Sequence, residues 1–304
     1  MDDMLTTRSR LRILPLLLVL FVLILTSCSN GATPTNELEP QAAEATTTPT
    51  PDEPTPTPIP AAAIVNDERL PLTWFENELA RYLLAQESLG TPVEDQAETR
   101  TLILDDLIDQ MLLAQGAIES GFAVTDEDVQ SRIDLLAAEV DLSAWMAAWR
   151  YSEDDLFQML RLQMLAAAKR DQIIESVPKV QEQVEIRQVL TRTSAGASEA
   201  RTKLNSGVDF EEVALIYQAE TGGYLGWVPR GYLLIPEVEE AAFNLPVGVF
   251  SETIESEIGY HIVLVLDRAE RPLSQDALLT LQRQAVYRWV EETRETSKIE
   301  VLID

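Results

Sequence analysis

Gly222-Gly223-Tyr224-Leu225-Gly226-Trp227 is followed by Pro236-Glu237-Val238-Glu239-Glu240-Ala241-Ala242-Phe243 and then by Gly259-Tyr260-His261-Ile262-Val263. The residues around these three blocks have mixed periodicity. Val184, Ile186, Gln188 and Leu190 alternate with Glu185, Arg187, Val189 and Thr191, which is the period of a strand. Ser198 to Asn205 suits a helix stopped near Gly207, and Asp209 offers an N-cap for a second helix reaching Tyr217. Pro236 is well placed in the first turn of a short helix ending near Leu245, and Pro246-Val247-Gly248 is a turn. His261, Val263 and Val265 alternate with Ile262, Leu264 and Leu266 on a last strand. Residues 182–270 therefore read as an α+β module, a small antiparallel sheet covered by helices.

The flanks of this module are helical. Phe75, Leu79, Tyr82 and Leu83 recur at helical spacing behind Thr73-Trp74-Phe75-Glu76, which has the form of a capping box. Leu104, Ile108, Met111, Gln115 and Ile118 lie on one stripe of a longer helix that Gly121 ends. Thr125 caps a helix carrying Val129, Ile133 and Leu136. Ser152-Glu153-Asp154-Asp155 opens another with Leu156, Leu160, Met164 and Ala167. Between these two, Ser143 to Trp149 places Trp145 and Trp149 on one face. Trp145, Met146, Trp149, Met159 and Met164 read either as ordinary core or as an adaptable apolar groove. Leu278, Leu281, Ala285 and Trp289 mark a C-terminal helix, and Ile299 to Ile303 alternates like a strand, as Ile64-Val65-Asn66 does.

The three blocks, in this order and in this α+β setting, resemble the parvulin family of peptidyl-prolyl cis-trans isomerases over nearly the whole of residues 182–270. A helical region, a compact insert and a C-terminal helix together resemble the exported SurA/PrsA type of foldase. In those proteins the segments before and after the parvulin module pack into one chaperone domain. Together with the N-terminal features below, the resemblance divides the chain into five expected units. Residues 1–27 are a signal peptide, 28–62 a tether, 63–181 the N-terminal chaperone region, 182–270 the isomerase module, and 271–304 a C-terminal helix and strand packed on the chaperone region. It also implies that Leu225, Leu234 and Val238 form a pocket for the proline ring, with Phe243 as core beneath it. His261 matches the second of the two histidines that face each other in the family's site, with Ser256 beside it. The chain departs from the family where the other histidine is expected, since Gln188 stands there and cannot titrate. Glu220 best matches the acidic or cysteine position of the family. Val238 replaces a commoner phenylalanine, so a shallower pocket is expected.

The N-terminus reads as an export signal. Arg8, Arg10 and Arg12 precede an apolar run from Ile13 to Leu25, too short for a membrane span of roughly 20 residues. Leu25-Thr26-Ser27-Cys28 resembles the lipobox of bacterial lipoproteins, which implies cleavage before Cys28 and its lipidation. An uncleaved signal anchor is the alternative. Cys28 is the only cysteine, so it has no intramolecular disulfide partner. Eight of the 16 prolines fall between Pro34 and Pro60 in a Thr-Pro-rich stretch without aromatics. Such a stretch buries too little apolar surface to order itself and favours extended polyproline II. It reads as a tether holding the body off a membrane or spanning wall material.

A formal charge of −28, from 23 basic and 51 acidic residues, excludes nucleic acid as a ligand, because phosphate binding needs Lys and Arg. One histidine and one cysteine do not supply a Cys/His protease, a Ser-His triad or a multi-histidine metal site in the module. Proline isomerisation needs none of these, and no cofactor. It breaks no covalent bond, and its barrier of about 18–20 kcal/mol is the amide resonance lost on twisting. Two functions stand side by side. One is an exported, membrane-anchored foldase that isomerises X-Pro bonds in unfolded or extended clients. The other is a holdase that binds such polypeptides with little or no catalysis, a reading that Gln188 favours. His261 itself reads either as site-lining or as a structural ring in the sheet.

Overall fold

The computed structural model describes residues 60–303 apart from Pro92. The export signal, Cys28 and nearly all of the expected tether lie outside the described residues. In chain order the first elements are β1 (Ala61–Val65), β2 (Glu68–Pro71), α1 (Leu72–Ser88), α2 (Gln96–Glu119), α3 (Asp126–Glu139), α4 (Leu142–Trp149) and α5 (Glu153–Ser176). The module follows as β3 (Val180–Thr191), α6 (Ser194–Asn205), α7 (Phe210–Tyr217), β4 (Tyr224–Pro229), α8 (Pro236–Asn244), β5 (Ile254–Ser256) and β6 (Gly259–Pro272). The chain ends with α9 (Gln275–Thr296) and β7 (Ile299–Val301).

The tether ends earlier than the sequence suggests. Ala61 and Ala62 belong to β1, and Ala62, Ala63 and Val65 are fully buried. Local propensity does not favour a strand at three consecutive alanines, so pairing on both edges has to make it one. β1 is the central strand of an antiparallel three-stranded sheet, ordered β2-β1-β7. Asn66 and Asp67 close the β1–β2 hairpin, both with positive φ, as a two-residue turn between twisted strands requires. On the other edge, Val65 pairs with Ile299 and Ala63 with Val301. The two alternating segments at opposite ends of the body therefore meet.

The capping box expected at Thr73 does not form. α1 starts at Leu72 directly behind Pro71, and Thr73 lies inside its first turn. The Leu72 amide donates to the Pro60 carbonyl at 2.9 Å, so the sheet satisfies one of the amides a cap would have served. The boxes at Thr125/Asp128 and Ser152/Asp155 are both formed.

Leu70, Phe75, Ile103, Leu107, Ile108, Met111, Leu112 and Met159 make the core under this sheet. α2 is covered on more than one face, which is why Leu107 and Leu112 are buried beside the expected stripe. Ile118, at the end of that stripe, is exposed. On α5, Leu156 and Met159 are buried, and Leu165 and Ala166 replace the expected Met164 and Ala167. No residue of α4 is buried, although Trp145 stacks on Tyr151 with centroids 5.2 Å apart. Met159 is thus core, and Trp145 and Trp149 are half-covered. Trp289 of α9 lies so close to α2 that a Cβ on Gly116 would sit 2.6 Å from its ring. Arg294 bonds Asp105 and Asp109 across the same contact.

The module has a four-stranded antiparallel sheet ordered β4-β3-β6-β5. β3 and β6 pair from Val180↔Pro272 to Thr191↔Tyr260, so both strands run beyond the expected limits of 182 and 270. Val184, Ile186, Val263 and Val265 face α8, packing on Val238, Ala242 and Phe243. Val189 and Ile262 face α6 and α7, packing on Leu204, Phe210 and Val213. This is the expected α+β architecture, with helices on both faces of a small sheet. No described helix is long and apolar enough to cross a membrane.

Candidate functional site

His261 sits near the start of β6, on the sheet face that carries Val263 and Val265. Gln188 on β3 pairs with Val263, two residues along β6, which puts it diagonally across from His261 and within side-chain reach. The His261 Nδ1 and the Gln188 Oε1 are 3.1 Å apart. On the other side, Ile254 of β5 pairs with His261, and the Ser256 Oγ reaches the His261 Nε2 at 2.7 Å. Sheet register therefore gathers three of the expected residues into one hydrogen-bonded row, Gln188–His261–Ser256.

The chemistry of this row follows from its donors and acceptors. Gln188 turns a carbonyl oxygen towards Nδ1, so that nitrogen carries the proton and donates. Nε2 then accepts from the Ser256 hydroxyl. This is a neutral ring with both nitrogens engaged. His261 is only 1% exposed, and burial pushes its pKa below the ordinary histidine value. The ring therefore lies in the floor of the module, and the half-buried Gln188 and Ser256 are the members with solvent access. Both readings of His261 meet here, since a ring buried in the sheet also fixes the two polar groups beside it.

The Gly-Gly turn sets the Gln188 end of the row. The Gln188 amide donates to the Gly223 carbonyl at 2.8 Å. Gly223 has φ +70°, and a Cβ on it would lie 1.8 Å from the Gln188 oxygen. Only glycine supplies both that backbone conformation and that approach. Arg187, on the opposite face, donates to the Gly222 carbonyl at 2.9 Å and pairs with Glu211 at 3.2 Å. The Gln218 side-chain Nε2 donates to the Leu190 carbonyl at 2.8 Å. Gln218 and Arg187 were not singled out from the sequence. No motif or periodicity marks them, because both bond backbone carbonyls of residues distant in the chain.

The three residues expected to form the proline pocket differ sharply in burial. Val238 is buried in the cluster with Phe243, Val263 and Val265. Leu234 is 90% exposed and Leu225, on edge strand β4, is 40% exposed. In the segment between β4 and α8, Leu233 and Ile235 turn inward onto the cluster. Tyr232 packs there as well, and Leu234 alone of these four is turned outward. Glu220 is exposed in the turn before β4, outside the Gln188–His261–Ser256 row. Arg268, unremarked in the sequence, donates from one nitrogen to the Phe243 and Leu245 carbonyls at 2.8 and 3.0 Å, closing the C-terminus of α8.

Comparison with known proteins supports both halves of the body. The PPIC-type PPIASE (rotamase) domain family matches residues 163–267. The SurA-like N-terminal domain family matches residues 15–169, just over half of the chain. The chain is 29% identical to the foldase protein PrsA of Oceanobacillus iheyensis over 215 residues, 64% of this chain and 72% of that protein. It is 32% identical to the chaperone SurA of Burkholderia orbicola over 150 residues, 42% of this chain and only 33% of that protein. Among solved structures it is similar to the peptidylprolyl isomerase PrsA of Bacillus anthracis. That similarity is at 19% identity and a TM-score of 0.43, covering 64% of this chain and 94% of that one. With a helical half that matches one family and a sheet module that matches the other, the chain belongs to the SurA-like N-terminal domain family and carries a parvulin-type rotamase domain.

Proposed function

We propose that this protein is an exported foldase, lipid-anchored through Cys28, that binds unfolded or extended polypeptides and isomerises their X-Pro bonds slowly. The observation that carries the catalytic part is the Gln188–His261–Ser256 row on the floor of a parvulin-type module. A twisted amide changes its hydrogen-bonding character, because its nitrogen becomes pyramidal as resonance is lost. Polar groups fixed before the substrate arrives favour that state without reorganising. Gln188 and Ser256 are such groups, and His261 holds both. The apolar surface of Leu225 and Leu234 takes the proline ring, above the core that contains Val238 and Phe243. Glu220 has no assigned step.

A second reading rests on Gln188 itself. An amide cannot take up or release a proton, and His261 is buried with both nitrogens occupied. The module then holds extended peptide with little turnover, and the helical half supplies the chaperone activity. The SurA and PrsA relatives are named a chaperone and a foldase, which favours polypeptide clients under either reading.

One paired experiment separates the two. The full-length chain is assayed for isomerisation of a proline peptide and for suppression of aggregation of an unfolded protein. Turnover above the uncatalysed rate supports the foldase. Suppression with no turnover leaves the holdase, and neither activity refutes both.

A further inference from the structure

The segment 230–235 carries Leu234 into solvent, yet its backbone is tied down from two sides. From α8, the Glu239 carboxylate accepts the Gly231 amide on both oxygens, at 2.9 and 2.8 Å, and the Leu233 amide on Oε2 at 3.2 Å. These are charge-assisted bonds, roughly twice as strong as neutral ones. With the amides of residues 231 and 233 turned to Glu239, the side chains of Leu233 and Ile235 go inward and Leu234 goes out. From α9, the Asp276 Oδ2 accepts the Tyr232 hydroxyl at 2.5 Å. Gly231, at φ +80°, lies so near the same helix that a Cβ would sit 3.1 Å from the Leu281 Cδ2.

We propose that Glu239 is the positioning residue of the peptide-binding loop 230–235, and that Asp276 braces the same loop from the C-terminal helix. The proposal rests on the isomerase reading above, in which Leu234 meets the proline ring. Only Arg230 and Leu234 of this segment are exposed; without these bonds its backbone must be ordered each time peptide binds, and that cost weakens affinity. Glu239 orders it in advance. Its effect therefore falls on binding rather than on the twisting step, which belongs to Gln188 and Ser256.

The test uses the full-length chain with Glu239→Ala, Glu239→Gln and Tyr232→Phe. Amide hydrogen exchange is followed across residues 230–235. KM and kcat are measured on a blocked tetrapeptide with a central X-Pro bond. Glu239→Ala is expected to speed exchange at Gly231 and Leu233, and to raise KM about tenfold with kcat within about twofold. Glu239→Gln keeps one oxygen able to accept from both amides, as Oε2 does now, and should restore most of the affinity. Tyr232→Phe removes only a hydroxyl, keeps the fold, and should raise KM by about threefold. It carries the test if Glu239→Ala does not fold. Unchanged exchange, a looser loop with unchanged KM, or a loss confined to kcat would overturn the positioning role alone. A parent chain that neither binds nor turns over the peptide overturns the isomerase reading, and this role with it.

Discussion

A Cβ placed on Gly223 would lie 1.8 Å from the carbonyl oxygen of Gln188. The turn before β4 thus presses backbone to backbone on the strand residue that faces His261. Gly223→Ala should cost more than the usual left-handed penalty of about 1–2 kcal/mol, because the turn must also leave β3. Gly248→Ala is the control. It has φ +80° but nothing within 4 Å of the added atom, so it should cost about 1 kcal/mol. Denaturant unfolding of the two variants checks the difference. Equal losses would mean that the close approach at Gly223 is relieved without consequence.

The buried His261 gives the module a pH dependence of known sign. Burial lowers its folded pKa, so between that value and the unfolded value of about 6.5 the unfolded state binds the extra proton. Stability is therefore full above the unfolded pKa and falls as pH drops through that window. Protonation also makes both nitrogens donors, and Ser256 must then turn its hydroxyl from Nε2 towards the Gly259 carbonyl, 3.2 Å away. His261→Gln should be less stable than the parent at pH 7.5, and the gap should narrow on acidification to pH 5. A gap that holds constant over that range would show that His261 does not titrate on unfolding.

Much of this site was legible because strand alternation fixes faces. Gln188, Val184 and Ile186 had to share one side of β3, and His261, Val263 and Val265 one side of β6. Register then brought Gln188 and His261 together. The pocket was less legible because Leu234 and Leu233 are chemically identical neighbours in a loop. Which of them turns inward is set by backbone bonds to Glu239, and these leave no periodic trace. β1 was misread at Ala61 and Ala62 for a related reason. Alanine has little strand propensity, and its place between β2 and β7 depends on Val301, over 200 residues away.

The same long-range pairing makes the C-terminal segment part of the helical half, so we propose that the module is an insert. Asn66 and Lys298 exchange hydrogen bonds of 2.9 Å next to the β1–β7 ladder, and Val290 is buried with Leu113, Ala166 and Ile173. Removing residues 274–304 should strip β1 of one edge and expose that cluster. Thermal unfolding followed by hydrogen exchange should show α1 and α2 losing protection while β3 and β6 keep theirs. Equal protection in the truncated and intact chains would show that the two ends do not fold together.

Cys28 is the only thiol in the chain, and we propose it as the first residue of the mature protein. Mass spectrometry of membrane-extracted protein should find acyl chains on it and no residues 1–27. Cys28→Ala should leave the precursor unprocessed. A Cys28→Ala chain that is cut and partitions like the parent would rule out lipid anchoring.

Gln188 decides how far the module is a catalyst. It occupies one side of a pair whose other member, His261, is buried and engaged at both nitrogens. A preorganised hydrogen bond to the twisted amide contributes on the order of 1–3 kcal/mol, or roughly ten- to a hundred-fold in rate. Gln188→His keeps a hydrogen-bonding partner for His261 and adds a group that can exchange a proton. Turnover should rise by about tenfold if the rest of the row is intact. Ser256→Ala should lower it, because the hydroxyl that satisfies the His261 Nε2 is lost and the ring is left with an unpaired buried nitrogen. Leu234→Ala should weaken peptide binding through lost apolar contact, with less effect on the rate of bound substrate. Kinetics on one proline peptide across the parent and these three variants separates the terms. If the parent and Gln188→His both bind the peptide and neither turns it over, the module is a peptide-holding domain, and the row formed by Gln188, His261 and Ser256 is structural.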